Sequence, residues 1–112
     1  MMRNGPLTGL LITAYRPSAL RRLGLAGAHL RHRLTHVEIV GHAGDAAEAP
    51  GHDLTYQAVH GTLTPPAMPT VPVADMLGAE RAVTATLLGI AECAKTEVGQ
   101  HHQVVLDEAA AF

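Results

Sequence analysis

The stretch Asp75-Met76-Leu77-Gly78-Ala79-Glu80-Arg81-Ala82-Val83-Thr84-Ala85-Thr86-Leu87-Leu88-Gly89-Ile90-Ala91-Glu92-Cys93-Ala94 decides the fold, together with Gly99 and the run Gln103-Val104-Val105-Leu106 behind it. Met76, Ala79, Val83, Leu87, Ile90 and Ala94 recur at steps of three and four, which draws one apolar stripe along a helix. A long, core-facing helix from about residue 75 is therefore expected. Gly78, Ala79, Ala82 and Ala85 keep its first turns thin, so that another backbone or a ligand can approach closely. Gly99 breaks the period, Gln103 to Leu106 reads as a strand, and Asp107-Glu108 can open a further helix that is cut off at Phe112.

Working outward towards the start, Leu10-Leu11-Ile12-Thr13-Ala14 is a short apolar run ended by Arg16-Pro17, with Pro17 placed to begin a helix. That helix runs from Pro17 to Leu23 and stops at Gly24, and Ala26 to Leu34 can form another. His36-Val37-Glu38-Ile39-Val40, bounded by Gly41, reads as a second strand. Residues 41 to 50 have no periodicity and mark a surface loop. Asp53 is expected to N-cap a short helix through His60, stopped by Gly61. Thr64 to Pro69 is too rich in proline to be helical throughout. Strands alternating with helices predict an α/β fold with largely parallel pairing.

Composition narrows the function. The 112 residues fit one domain at most, and 47% hydrophobic with 16% charged residues is a globular balance. With a formal charge of −2 and no long basic run, the footprint of a nucleic-acid binder is missing. No signal peptide and no span of about 20 apolar residues is visible, and the single Cys93 has no partner for an internal disulfide, so a soluble cytoplasmic protein without membrane contact is expected.

The chemically suggestive residues are His52, at a loop-to-helix boundary, and Asp75, at a helix start. Such a pair can serve as acid and base in a cleft, although an aspartate at that position is commonly an N-cap worth about 1 kcal/mol. The eight histidines do not spell a metal site: His101 and His102 are adjacent in a strand and face opposite ways, and no cysteine cluster or His-Glu-x-x-His pattern accompanies them. Cys93 beside the apolar stripe reads as a structural thiol. Arg16, Arg21 and Arg22 form either a solvated helix face or an attraction for a small phosphorylated ligand.

Four segments in one order carry a resemblance. They are Leu11-Ile12-Thr13-Ala14-Tyr15-Arg16-Pro17-Ser18-Ala19-Leu20-Arg21-Arg22-Leu23-Gly24, then Pro50-Gly51-His52-Asp53-Leu54-Thr55-Tyr56-Gln57-Ala58, then Val71 to Ala79, then Lys95-Thr96-Glu97-Val98-Gly99-Gln100 before a strand. The series resembles the class III CoA-transferase family, which includes the α-methylacyl-CoA racemases. Its members share an "NFRPGxLxRLG" segment, a "GxDxxxQA" turn, an aspartate opening a long helix, and a "TGxGQ" turn into a strand. The resemblance implies a Rossmann-like large domain, of which residues 1–112 would be a part. It also implies an interlocked homodimer in complete members, and acyl-CoA and a carboxylic acid as substrates. The family's opening "GxRVLDL" and "LGADVIKVE" segments and its closing small domain have no counterpart in the chain.

In the transferase branch the aspartate matching Asp75 is the nucleophile, passing through an aspartyl anhydride and an aspartyl-CoA thioester. In the racemase branch the same aspartate works with the histidine of a "GHDxxY" motif, here His52 with Asp53 and Tyr56. Arg22 matches a CoA-contacting arginine, and Arg16 is carried over on the same segment. The family's Asn-Phe and first Gly are Ala14-Tyr15 and Ser18 here, and the Gly of "TGxGQ" is Glu97. Acyl transfer by Asp75 is the leading expectation, weak or absent unless another chain supplies the missing parts. Proton transfer by His52 and Asp75, or a non-catalytic dimerising remnant, are the alternatives.

Overall fold

A computed structural model describes residues 8–111; residues 1–7 and Phe112, where the sequence leaves the last helix, lie outside them. The elements run β1 (Thr8–Thr13), α1 (Pro17–Arg22), α2 (Ala28–Arg31), β2 (Arg33–Val40), a 3-10 turn (Gly44–Ala46), α3 (Asp53–His60), α4 (Val73–Thr96), β3 (Gln100–Val105) and α5 (Leu106–Ala110). The strands form one parallel sheet in the order β1-β2-β3. Parallel neighbours need a crossover, and the helices supply both: α1 and α2 between β1 and β2, α3 and α4 between β2 and β3. The expected α/β architecture with parallel strands and a long helix from about residue 75 is present.

Alternation along β2 sorts the layers. Val37 and Ile39 face α4, where they pack with Ala82, Ala85 and Val104. His36 and Glu38 face the other way, towards His29 of α2, His101 of β3 and Leu20 of α1, around a cavity of about 200 Å³. Covered on both faces, β2 is buried at nearly every position, as a central parallel strand must be. Its polar residues are matched in part: His36 Nε2 lies 2.8 Å from Thr13 Oγ1, and His101 Nε2 lies 2.9 Å from Glu38 Oε1.

Several boundaries differ from the sequence reading. The helix expected over residues 26–34 is only four residues long, because Arg33, Leu34 and Thr35 pair in register with Thr8, Gly9 and Leu10. A short isolated helix has little stability of its own, so ladder bonds to β1 win. The third strand starts at Gln100 and ends at Val105, and Leu106 already belongs to α5.

The larger difference concerns α4. The stripe expected to face the core is outside: Met76, Val83, Leu87 and Ile90 are all exposed. The buried positions are Ala74, Gly78, Ala82 and Gly89, the thin side of the helix. A methyl group at Gly89 would run into the side chain of Thr35, and one at Gly78 would meet Leu106. Small residues let the helix axis lie close on the sheet, and contact area gained along its length replaces what bulky side chains would have supplied.

The turn into β3 is equally tight. Gly99 lies against the backbone carbonyls of His29 and His32, where no Cβ fits. Just before it, Glu97 ends α4 in a left-handed conformation with φ of 59°. Glycine is the usual residue there, and a side chain costs about 1 kcal/mol. This is the position where the family pattern quoted above has glycine.

Candidate active site

The three strands end side by side, and their C-terminal ends open on a cavity of about 210 Å³ lined by Ala14-Tyr15-Arg16 after β1, Val40-Gly41 after β2, Leu106 after β3, and Gly51 with Tyr56 from the α3 segment. Crevices at the carboxyl ends of parallel strands are where α/β folds place their ligands. Tyr56 forms one wall. It is 2% exposed, and its hydroxyl sits where a Cβ on Gly41 or Gly51 would collide with it. Both glycines are therefore required by the tyrosine. Burial, then the charges of Asp107 and Asp75, push its phenol above the usual tyrosine range. Behind the ring, His42 meets it edge-on at 5.4 Å between centroids, and Asp107 binds His60 Nε2 at 2.8 Å.

Asp75 occupies the third position of α4. Two ordinary structural roles of an aspartate at a helix start do not apply. It is not the N-cap, which is Pro72. It cannot close a capping box either, because that motif bonds the side chain back to the N-cap N–H and a proline has none. Its own backbone N–H is already taken by Asp53 Oδ2 at 2.8 Å. Among the described residues its carboxylate makes no hydrogen bond or ion pair, and it is exposed. Burial and then the neighbouring Asp53 charge push the pKa of Asp75 above the usual carboxylate range, while His52 pulls the other way.

His52, not Asp53, holds the N-cap position of α3, in extended backbone conformation and with no side-chain capping bond. The expected capping role of Asp53 is thus corrected. As the first helical residue its carboxylate points across to α4, binding the Asp75 amide through Oδ2 and the Gln57 side-chain amide through Oδ1 at 2.5 Å. His52 and Asp75, expected as a pair, are exposed side chains on adjoining elements and within electrostatic reach of each other.

The two arginines are placed differently. Arg16 lines the cavity; Arg22 is the last residue of α1, exposed and outside the lining. Ser18, which stands where the family pattern has glycine, donates its backbone N–H and its hydroxyl to Glu48 at 2.7 and 2.9 Å. These bonds, led by the Ser18 N–H, hold the Glu48 carboxyl below its usual range and tie the 41–50 loop across the start of α1. Glu48 escaped the sequence reading, in which Gln57 figured only within a quoted segment and Asp107 only as the opening of a helix. The spacing of Asp53 and Gln57, one helical turn apart, was the available signal for Gln57. Among the described residues no group of three or more His, Cys, Asp and Glu is arranged to hold a metal ion, and no helix is long and apolar enough to cross a membrane.

Comparison with curated proteins gives no match. Solved structures do match. A CAIB/BAIF family protein from Brucella suis superposes with a TM-score of 0.79 at 25% identity, over 91% of this chain and 30% of that one. A Mycobacterium tuberculosis protein gives a TM-score of 0.78 at 22% identity, over 90% and 32% of the two chains. This chain thus spans about a third of the length of the structures it is similar to. The sequence profile of CoA-transferase family III covers residues 9–112, and the chain belongs to that family.

Proposed function

We propose that the chain carries the acyl-transfer centre of an acyl-CoA transferase, with Asp75 as nucleophile. The observation that supports this best is the state of the Asp75 carboxylate: it stands in the first turn of a 24-residue helix, without a hydrogen-bond partner among the described residues. An Asp75 oxygen attacks the thioester carbonyl carbon, the C–S bond breaks and CoA leaves as thiolate, forming a mixed anhydride. The thiolate then attacks the Asp75 carbonyl carbon and expels the acyl group as a carboxylate, leaving an aspartyl-CoA thioester. An incoming carboxylate repeats these steps in reverse order. The positive end of α4 favours the negative charge that develops at each stage. Arg16, in the cavity wall, and Arg22, at the end of α1, would take CoA phosphates by charge-assisted bonds. The working assembly in this reading is a homodimer.

The influence of His52 on Asp75 supports a second reading, in which the two groups exchange an α-proton of an acyl-CoA from opposite sides. One experiment separates the readings. The chain is incubated with acetyl-CoA and hydroxylamine and its peptides are analysed by mass spectrometry; a hydroxamate on Asp75, absent in Asp75→Asn, supports transfer. Deuterium uptake at the α-carbon of a branched acyl-CoA in heavy water, abolished in His52→Ala, would transfer the assignment to the racemase branch. Neither signal means a non-catalytic remnant.

A further inference from the structure

Asp53 and Gln57 form a brace with no evident purpose for α3 itself. Gln57 is 2% exposed, and its side-chain amide donates both to Asp53 Oδ1 at 2.5 Å and to the Val71 carbonyl at 3.1 Å. The second Asp53 oxygen accepts the Asp75 N–H at 2.8 Å. A carboxylate of one helix therefore caps the first turn of another. Because Pro72 offers neither a capping side chain nor an N–H, α4 would otherwise begin with that amide unbonded. Helices more often solve this with their own N3 acid or a serine, threonine or aspartate at the N-cap, and the N3 acid here is Asp75 itself.

We infer that Asp53 is the positioning residue of the centre proposed above: it takes over the capping task, fixes the first turn of α4 against α3, and leaves the Asp75 carboxylate unbonded for a thioester. The assignment rests on the reading of Asp75 as the reacting group. Gln57 holds the Asp53 carboxylate where it accepts from the Asp75 amide, and the Val71 carbonyl holds Gln57. The groups that face Asp75 electrostatically are Asp53 and His52, and Asp75 in turn acts on the Tyr56 phenol. A negative neighbour makes the Asp75 oxygens more basic, and hence better nucleophiles, for as long as they are ionised.

The test uses the chain as it is, and its NMR part does not require turnover. In NMR titrations of the wild-type protein, the Asp75 amide proton is expected to move with the ionisation of the Asp53 carboxylate that accepts it. In Asp53→Asn, which keeps an acceptor oxygen and loses the charge, Asp75 is expected to titrate at lower pH. The pH profile of hydroxylamine trapping should shift with it, and Asp53→Glu, which restores the charge at longer reach, should recover part of the shift. A folded Asp53→Asn chain whose Asp75 titrates as in the wild type overturns the assignment. So does a wild-type Asp75 amide that ignores Asp53, a measurement that stands even if the variant fails to fold. Absence of trapping with both NMR signatures present would instead remove the nucleophile reading and leave Asp53 a structural cap.

Discussion

Replacing Gly89 by alanine sets two effects against each other. In an exposed helix interior the change would stabilise by about 1 kcal/mol, since glycine loses more backbone freedom on folding. At Gly89 the new methyl group would overlap Thr35 Cγ2 and come within 3.0 Å of Thr35 Oγ1 and 3.2 Å of His102 Cδ2. Thr35 is fully buried and β-branched, so it has little space to retreat into and a restricted choice of rotamer. Overpacking of this kind costs about 1 to 3 kcal/mol, and because α4 must lift from β2 along several residues the upper part of that range applies. The net expectation is a loss of about 1 to 2 kcal/mol. Gly78→Ala is the control: its methyl would meet only the tip of Leu106, a flexible and half-buried side chain that can swing away, so the helix gain survives and stability is unchanged or higher. Urea unfolding followed by circular dichroism measures both. With a slope near 1 kcal/mol/M for a chain of this size, Gly89→Ala lowers the midpoint by roughly 1 to 2 M at constant slope. Adding Thr35→Ser, which removes the opposing methyl group, is expected to return part of the loss as a coupling energy. If Gly89→Ala is as stable as the wild type or more so, the close seating of α4 on the sheet is wrong.

Two other perturbations test the charge balance of the fold. The imidazoles of His29 and His36 are pushed below the usual histidine range by burial and then by His101, whose ring lies 4.9 and 5.1 Å from theirs. The unfolded chain then binds more protons than the native one, so stability is expected to fall as pH drops below about 6.5 towards the lowered native values; unfolding midpoints that stay level between pH 7.5 and 5.5 would contradict this. Asp75 has the opposite sign: its native value is raised, so its contribution is present below the unfolded carboxylate value and lost as pH rises through the native one. Asp75→Asn should therefore make the chain more stable at neutral pH, whereas a capping aspartate would make it less so, and a lower midpoint for that variant refutes the unbonded carboxylate.

The course of the chain was legible in its residues because punctuation is local. Gly24, Gly41, Gly61 and Gly99 stop or turn elements where left-handed angles or close backbone approach demand it, and Pro17 opens α1 as a first helical residue should. The extent of β2 was not legible, since Arg33-Leu34-Thr35 becomes strand only through its pairing with β1, a contact between segments that no local pattern encodes. The parallel pairing of the strands followed from their alternation with helices, whereas the cluster of His29, His36 and His101 unites three elements and could be seen only once their register was known.

The orientation of α4 shows how far periodicity can carry an argument. A period of three to four establishes a helix, and it also establishes that one flank is apolar, but it does not say that the apolar flank is the buried one. Two stripes were present: Met76, Val83, Leu87 and Ile90 on one flank, and Ala74, Gly78, Ala82, Ala85 and Gly89 on another. Transfer energy favours burying the first by about 1.5 to 3 kcal/mol per large side chain. Packing of a helix on a flat sheet of β-branched and imidazole side chains favours the second, because only small residues let Thr35, Val37, Ile39, His102 and Val104 reach the helix backbone. The sheet already supplies the bulk, so the thin stripe is buried beneath α4. This choice also sets the site: with Ala74 and Gly78 pressed inward beside Tyr56 and Leu106, Asp75 is rotated one residue out of the core and onto the side where His52 and Asp53 stand. Had the bulky stripe turned inward, the first turn of α4 would have rotated by nearly half a turn, and the Asp53 carboxylate would have lost the amide it holds.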